Sequence, residues 1–528
     1  MMKVRKLLRL VLLGFLAAIL VPILPIQAAP MNPVILENMQ AGTTQWQLGG
    51  IIADDLNNQI KGYASATSVG LGSTITFFVT VNPAQTFTMD FYRIGWYQGL
   101  GGRLMASSGP LVGTAQTPCT ADATTGLIDC GWSASYNLSV PLTWTSGVYL
   151  VRLHNAAGYE NFIDFVVRDG RPADLVYQQP VLTYQAYNNY PDNKLTGKGL
   201  YDYNSFGANT IALTPRAVKA SFNRPYADNG VGDFFYWELD FVRWVEGSGY
   251  DVTYTTDIDT HENPTALRLY KGFVSPGHNE YWTKSMRDGV EAARDAGVNL
   301  AFFGANDDYW QVRLEPAANG VADRTVVCYK DTTIDPINGP TTTFLWRSAP
   351  VNRPEQTLLG VQFTSMVSWV NLNVPYVVTN SSHPVYANSG FAEGSSVPGL
   401  VGYEMDRSFA DAPLPTGTGY TLLSHSPFVD SGGLSDFANS SIYQAPSGAW
   451  VFTAGTSSWD FGLDSYVGPG ANAGIKQTTI NLLNSFIGLL PPLGGLAPAI
   501  SPTPMIAAPG TPQLGAVPTL GVPNPGVP

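Results

Sequence analysis

The chain has 528 residues, 45% hydrophobic and 13% charged, with 54 Gly, 39 Pro, 3 Cys and a formal net charge of −12. The hydrophobic share excludes global disorder, three cysteines exclude a small disulfide framework, and the acidic balance argues against binding nucleic acid or an anionic membrane surface. At roughly 100–200 residues per domain the length predicts two to four domains. A charged share about half the usual ~25%, with 26 Tyr and 12 Trp, points toward a secreted or cell-surface protein.

Lys3, Arg5, Lys6 and Arg9 precede an apolar run over residues 10–26, which ends in Ile26-Gln27-Ala28-Ala29. A basic head, a short apolar stretch and small residues predict a signal peptide over 1–28, cut after Ala28, and an extracytoplasmic location. Pro22 and Pro25 interrupt the run and argue against a retained membrane helix.

Residues 31–170 carry short alternating segments, among them 73–81, 86–93, 147–153 and 161–167, separated by Gly, Asn and Ser. Period-two alternation at this spacing predicts an antiparallel β-sandwich. Cys119 and Cys130 fall inside it, and an exported protein would join them in a disulfide.

From residue 174 the texture changes. Residues 175–177 and 181–182 read as a buried strand entering a loop, 234–246 has helical spacing and 251–255 is strand-like. Then 272–275 reads as a strand, 283–296 as an amphipathic helix and 298–303 as a strand. That alternation predicts parallel βαβ units with the ligand crevice beyond the carboxyl ends of the strands. A β-rich stretch over 328–428 inserts into or extends this domain, and 450–453 followed by a helix over 473–489 closes it. Residues 491–528 hold 11 Pro, 6 Gly and no charge, the composition of an extended spacer.

The chain has no G-x-S-x-G elbow, H-E-x-x-H, paired C-x-x-C or Walker loop. Cys328 reads as a buried inert thiol. The strongest local feature is Ser275-Pro-Gly-His-Asn-Glu-Tyr-Trp282, between a predicted strand and a predicted helix. Gly277 allows the tight turn there, and His278 and Glu280 project into the crevice, where an imidazole and a carboxylate suit metal ligation or acid–base work. Thr183-Tyr-Gln-Ala-Tyr-Asn-Asn189, Gly199-Leu-Tyr-Asp-Tyr-Asn-Ser205 and Phe303-Gly-Ala-Asn-Asp-Asp-Tyr-Trp310 are the other dense motifs; Asn306 also follows a strand.

These motifs, with Cys328-Tyr-Lys-Asp331 and Gly402-Tyr-Glu404, resemble the large (beta) subunit of N,N-dimethylformamidase and its relatives over about residues 174–490. The preceding sandwich, with Phe91-Tyr-Arg-Ile-Gly-Trp-Tyr97, is similar to the domain before it in such relatives. The resemblance implies a mononuclear Fe(III) held by Tyr187, Tyr201 and Glu280, with Tyr184 and Tyr203 as neighbouring alternatives. It further implies His278, Asn306, Lys330 and Glu404 as surrounding catalytic positions, and water attacking the carbonyl of a small amide. Hard anionic oxygens suit a hard ferric ion. Glu404 or His278 would carry the proton to the leaving amine, and Asn306 or Lys330 would stabilise the oxyanion.

The expected fold is therefore multidomain. An Ig-like all-β sandwich over 31–170 precedes an α/β domain over 174–490, which has a mostly parallel sheet of glutamine-amidotransferase or flavodoxin-like kind and a β-rich insertion. The expected partners are a small amide and a second copy or a small subunit. The competing reading is a surface adhesion protein that presents Trp96, Tyr97 and Trp132 to a glycan.

Overall fold

A computed structural model describes residues 32–368, 374–467, 470–491 and 493. The predicted signal peptide, and all but two residues of the predicted spacer, lie outside them. The protein is β-rich, with several sheets and few helices among the described residues.

In the first part, Lys61–Ala64, Thr74–Thr80 and Tyr136–Ser139 form a three-stranded antiparallel sheet. A seven-stranded sheet runs Ile51–Ile52, Tyr159–Arg168, Gly147–Asn155, Thr86–Ile94, Gly102–Ser107, joined by Ser68–Gly70 and Leu111–Val112. Alternation sorts the side chains. Phe77 and Val79 of the small sheet share a core with Phe91, Val151 and Phe165 of the large one. Their strand neighbours Tyr92, Leu150 and Phe162 join the core of the following part instead, so the large sheet is covered on both faces. Cys119 and Cys130 are disulfide-bonded as expected.

In the second part, one sheet is built from β1 (Leu175–Gln179), β2 (Val252–Thr256), β3 (Gly272–Gly277), β4 (Asn299–Gly304), β5 (Thr418–Leu422), β6 (Ser441–Gln444) and β7 (Trp450–Thr453). The order is β2-β1-β3-β4-β7-β6-β5. The first five of these are parallel, and β6 and β5 extend the edge antiparallel. Strand order reverses between β1 and β3, and crevices at such reversals collect ligands. Elsewhere in 328–428 the strands pair in twos, for example Gln362–Met366 with Glu404–Arg407.

The helices include α1 (Val181–Tyr187), α2 (Leu239–Gly247), α3 (Lys284–Asp295) and α4 (Ala473–Phe486). Thr283 caps α3 by accepting from the Met286 N–H, the role its hydroxyl has at a helix start. Two expectations need correction. Residues 181–182 open a helix rather than a loop, because Pro180 fixes the turn and a short apolar run fits either state. The predicted helix over 234–246 is split into Phe234–Trp237 and α2, with Glu238 between them at φ −132°. The Glu238 carboxylate is buried and accepts from the hydroxyls of Tyr177 (2.7 Å) and Tyr184, which holds the break in place. Arg93 of the large sheet and Glu246 of α2 form a fully buried ion pair at 2.6 Å that fastens the two parts together.

Candidate functional site

The site lies at the carboxyl ends of β1, β3 and β4. β3 ends at Gly277 (φ +77°), where a Cβ would stand 2.7 Å from the Trp237 side chain. A residue with a side chain is thus barred at the turn, and the chain swings His278 and Glu280 into the crevice. α1 lies over the same turn: Thr183 Oγ1 accepts the backbone N–H of Glu280 at 2.9 Å. One helical turn later, Tyr187 donates its hydroxyl to Glu280 Oε2 at 2.8 Å, as i,i+4 spacing on one helix face allows. Tyr201 donates to Glu280 Oε1 at 2.5 Å. The two tyrosine rings stack with centroids 4.6 Å apart, and their hydroxyls lie 3.2 Å apart. The loop between them folds back on α1: Leu200 N–H bonds to the Ala186 carbonyl and Asn204 Nδ2 to the Tyr187 carbonyl.

Beside this trio stands a second one. His278 Nε2 is 2.7 Å from Glu404 Oε2 and 3.6 Å from Glu280 Oε2. Asn306 Nδ2 donates to Glu404 Oε2 at 2.9 Å, and its backbone N–H donates to Asp406. Asn306 stands two residues past the end of β4, in the left-handed region at φ +56°, which turns the chain sharply into the crevice. Its Oδ1 is buried without a hydrogen bond among the described residues. Lys330 approaches from the other side, with its Nζ 3.3 Å from the centroid of the Tyr201 ring and 4.8 Å from that of Trp310.

The electrostatics follow from burial. Desolvation, and then the Glu280 charge, hold the Tyr187 and Tyr201 hydroxyls well above the ordinary phenol range. Desolvation raises Glu280 against the pull of His278 and lowers Lys330 to about 8 against the pull of Glu280. Burial works to lower His278, but the Glu404, Glu280 and Asp233 charges outweigh it and lift the ring to about 10.

All seven expected residues therefore meet in one crevice. The alternatives separate: Tyr184 turns away to Glu238, while Tyr203 packs its ring 5.6 Å from that of Tyr201. Among the described residues no cluster of three or more His, Cys, Asp or Glu could cage a metal. A hard cation in this crevice would rest on the phenol oxygens of Tyr187 and Tyr201 and the carboxylate of Glu280, a donor set that suits one.

Sequence reasoning missed three contributors. Thr183 is visible only as the first residue of its motif. Asp233, raised to about 6 by burial against the His278 charge, has no motif to mark it. Trp310 flanks Lys330 from the strand Trp310–Glu315, which pairs with Thr325–Val327 just before it. The aromatic platform of the adhesion reading is not formed, because Tyr97 is 0% and Trp132 7% exposed. Cys328 is buried as expected, and burial raises its thiol to about 11.

A sequence model of the family described as N,N-dimethylformamidase beta subunit-like, C-terminal, matches residues 88–474. The match begins within the strand Thr86–Ile94, well before the α/β part. The N,N-dimethylformamidase beta subunit of an Alcaligenes species is 24% identical over 225 residues, which cover 36% of this chain and 29% of that one. Less than a third of the relative's length is thus matched. Among solved structures, a superoxide reductase (neelaredoxin) variant from Ignicoccus hospitalis aligns with 12% identity and a TM-score of 0.13, covering 21% of this chain and 81% of that one. A cycloisomaltooligosaccharide glucanotransferase from Paenibacillus sp. aligns with 8% identity and a TM-score of 0.17, covering 77% and 69%. Neither score is high enough to inform the fold.

Proposed function

The chain belongs to the N,N-dimethylformamidase beta subunit-like family, and from that premise we propose that it is an exported hydrolase cleaving the C–N bond of a small linear amide at a mononuclear Fe(III) site. The observation that carries the reading is the convergence of Tyr187, Tyr201 and Glu280 beside the His278–Glu404–Asn306 group.

Tyr187, Tyr201 and Glu280 would hold the iron, the two phenols giving up the protons they now share with Glu280. A bound ferric ion supplies Lewis acidity toward water and an amide carbonyl. The remaining work falls to the chain's own side chains. Glu404 accepts a proton from the attacking water and passes it to the departing amine, with His278 balancing its charge and Asn306 fixing its orientation. Lys330 and the Asn306 amide offer donors to an oxyanion. The aromatic rings around Tyr201 keep water out and strengthen these interactions.

The five parallel strands, in the order β2-β1-β3-β4-β7, support a flavodoxin-like reading of a catalytic domain over 174–490. The two packed sheets before it support an Ig-like sandwich over 31–170. The disulfide between Cys119 and Cys130 supports export. The beta-subunit designation of the Alcaligenes relative supports association with a small second subunit or a further copy.

The test is amine release from N,N-dimethylformamide and related small amides by the iron-loaded protein. Turnover that is lost in Glu404→Gln while iron is retained supports the assignment. Full turnover in both Glu404→Gln and His278→Ala would overturn the division of roles.

A further inference from the structure

Five arginines are buried among the described residues: Arg93, Arg224, Arg243, Arg287 and Arg324. Three face a carboxylate, namely Glu246, Asp464 and Asp308 respectively for Arg93, Arg243 and Arg287. Arg224 and Arg324 face none within ion-pair distance, and Asp129 acts on Arg324 only from further away. Both line one cleft, where the strand Lys61–Ala64 and the strand Tyr159–Arg168 meet α1 and the segment after the short strand Lys219–Ser221.

We propose that this cleft is a binding site for a small carboxylate, held between the guanidiniums of Arg224 and Arg324. The two forks are fixed in place by neutral acceptors. Arg224 donates to the carbonyls of Asn188 (2.7 Å), Lys198 (2.9 Å) and Tyr190 (3.3 Å), and its Nε is buried with no partner. Arg324 donates from Nε to Asn223 and from Nη2 to the carbonyls of Ala64 and Phe222, which leaves Nη1 unused among the described residues. Immobile guanidiniums with donors to spare favour planar, bidentate carboxylates.

The surroundings agree. Desolvation outweighs the opposing charges around them and pulls Arg224 to about 9 and Arg324 to about 10, so an anion entering the cleft relieves a real cost. Asp164 is the carboxyl lining the cleft, and burial raises it to about 7 against hydrogen bonds from Gln179 and the backbone. Below about pH 7 it therefore keeps its proton and offers little opposing charge to a monoanion. Tyr226 also lines the cleft, and its hydroxyl feels Asp164, Arg324 and Arg224 together. The site is separate from the amide crevice: Gln185 of α1 lines it, whereas Tyr187 of the same helix serves Glu280.

Isothermal titration of the full-length protein with sodium acetate, at constant ionic strength, tests the proposal. One saturable site per chain, weakened at least about tenfold in Arg324→Gln, is expected. No saturation at tens of millimolar acetate, or unchanged binding in a folded Arg324→Gln, overturns it. Should that variant fail to fold, a wild-type crystal soaked in bromoacetate decides. An anomalous bromine peak beside Arg224 and Arg324 is expected, and an empty cleft overturns the proposal. Neither readout depends on iron or on amide turnover.

Discussion

Thr183 and Tyr187, one turn apart on α1, grip the same residue: Thr183 Oγ1 takes the backbone N–H of Glu280 and Tyr187 takes its carboxylate. The helix thus sets both the position and the chemistry of the carboxylate. Thr183→Val keeps the shape but leaves the buried Glu280 N–H without a partner, at a cost of about 1–3 kcal/mol. The variant is expected to unfold a few degrees lower and to hold iron more weakly, measured by thermal unfolding and metal content. Unchanged iron affinity would mean that Glu280 is positioned by the turn alone.

Glu404 accepts from Asn306 and pairs with His278, both side chains buried. Removing its proton-transfer capacity with Glu404→Gln should lower turnover of a small amide by roughly 10²- to 10⁴-fold, with little change in unfolding temperature. Asn306→Ala leaves the carboxylate in place but free to rotate, so a smaller loss of turnover is expected. Steady-state amine release measures both.

The ion pair between Arg93 and Glu246 has no solvent exposure on either side. Glu246→Ala strands the Arg93 guanidinium, and such losses cost about 3–5 kcal/mol. Urea unfolding should show this drop. A loss under 1 kcal/mol would mean that the Ser146 carbonyl, which also accepts from Arg93, suffices for it.

Burial raises the Asp164 carboxyl from 3.8 to about 7, with Gln179 acting against the shift. Between those values the native protein keeps a proton that the unfolded chain releases. Stability therefore falls as pH rises through that window and stays lower above it. Asp164→Asn removes the decline, so the variant should withstand more urea than the wild type at about pH 8 and about the same at pH 4. An equal difference at both values would show that the effect is not ionisation.

Much of this arrangement is legible in the sequence where one local signal decides the outcome. β3, α3 and β4 emerge at their expected places because an apolar run, a Thr cap and a 3.6-residue stripe agree. His278, Glu280 and Asn306 follow, since they come just after those strands, whereas Tyr187, Tyr201, Lys330 and Glu404 are reached only through the family resemblance. The break at Glu238 is not legible, because its cause is two tyrosine hydroxyls from β1 and α1 that reach a carboxylate more than fifty residues away. Lys330 likewise finds its aromatic surroundings on Tyr201, Trp310 and Tyr281, which only the fold assembles. The two unpaired arginines leave no pattern at all, because what marks them is the absence of a carboxylate in three dimensions.

The central claim is that Tyr187, Tyr201 and Glu280 hold iron, and the most direct test is metal content with a visible spectrum of the wild type and Tyr187→Phe. About one iron per chain and a tyrosinate-to-iron charge-transfer band that weakens in the variant are expected. A colourless protein that takes up no ferric ion, or a band untouched by Tyr187→Phe, would contradict it.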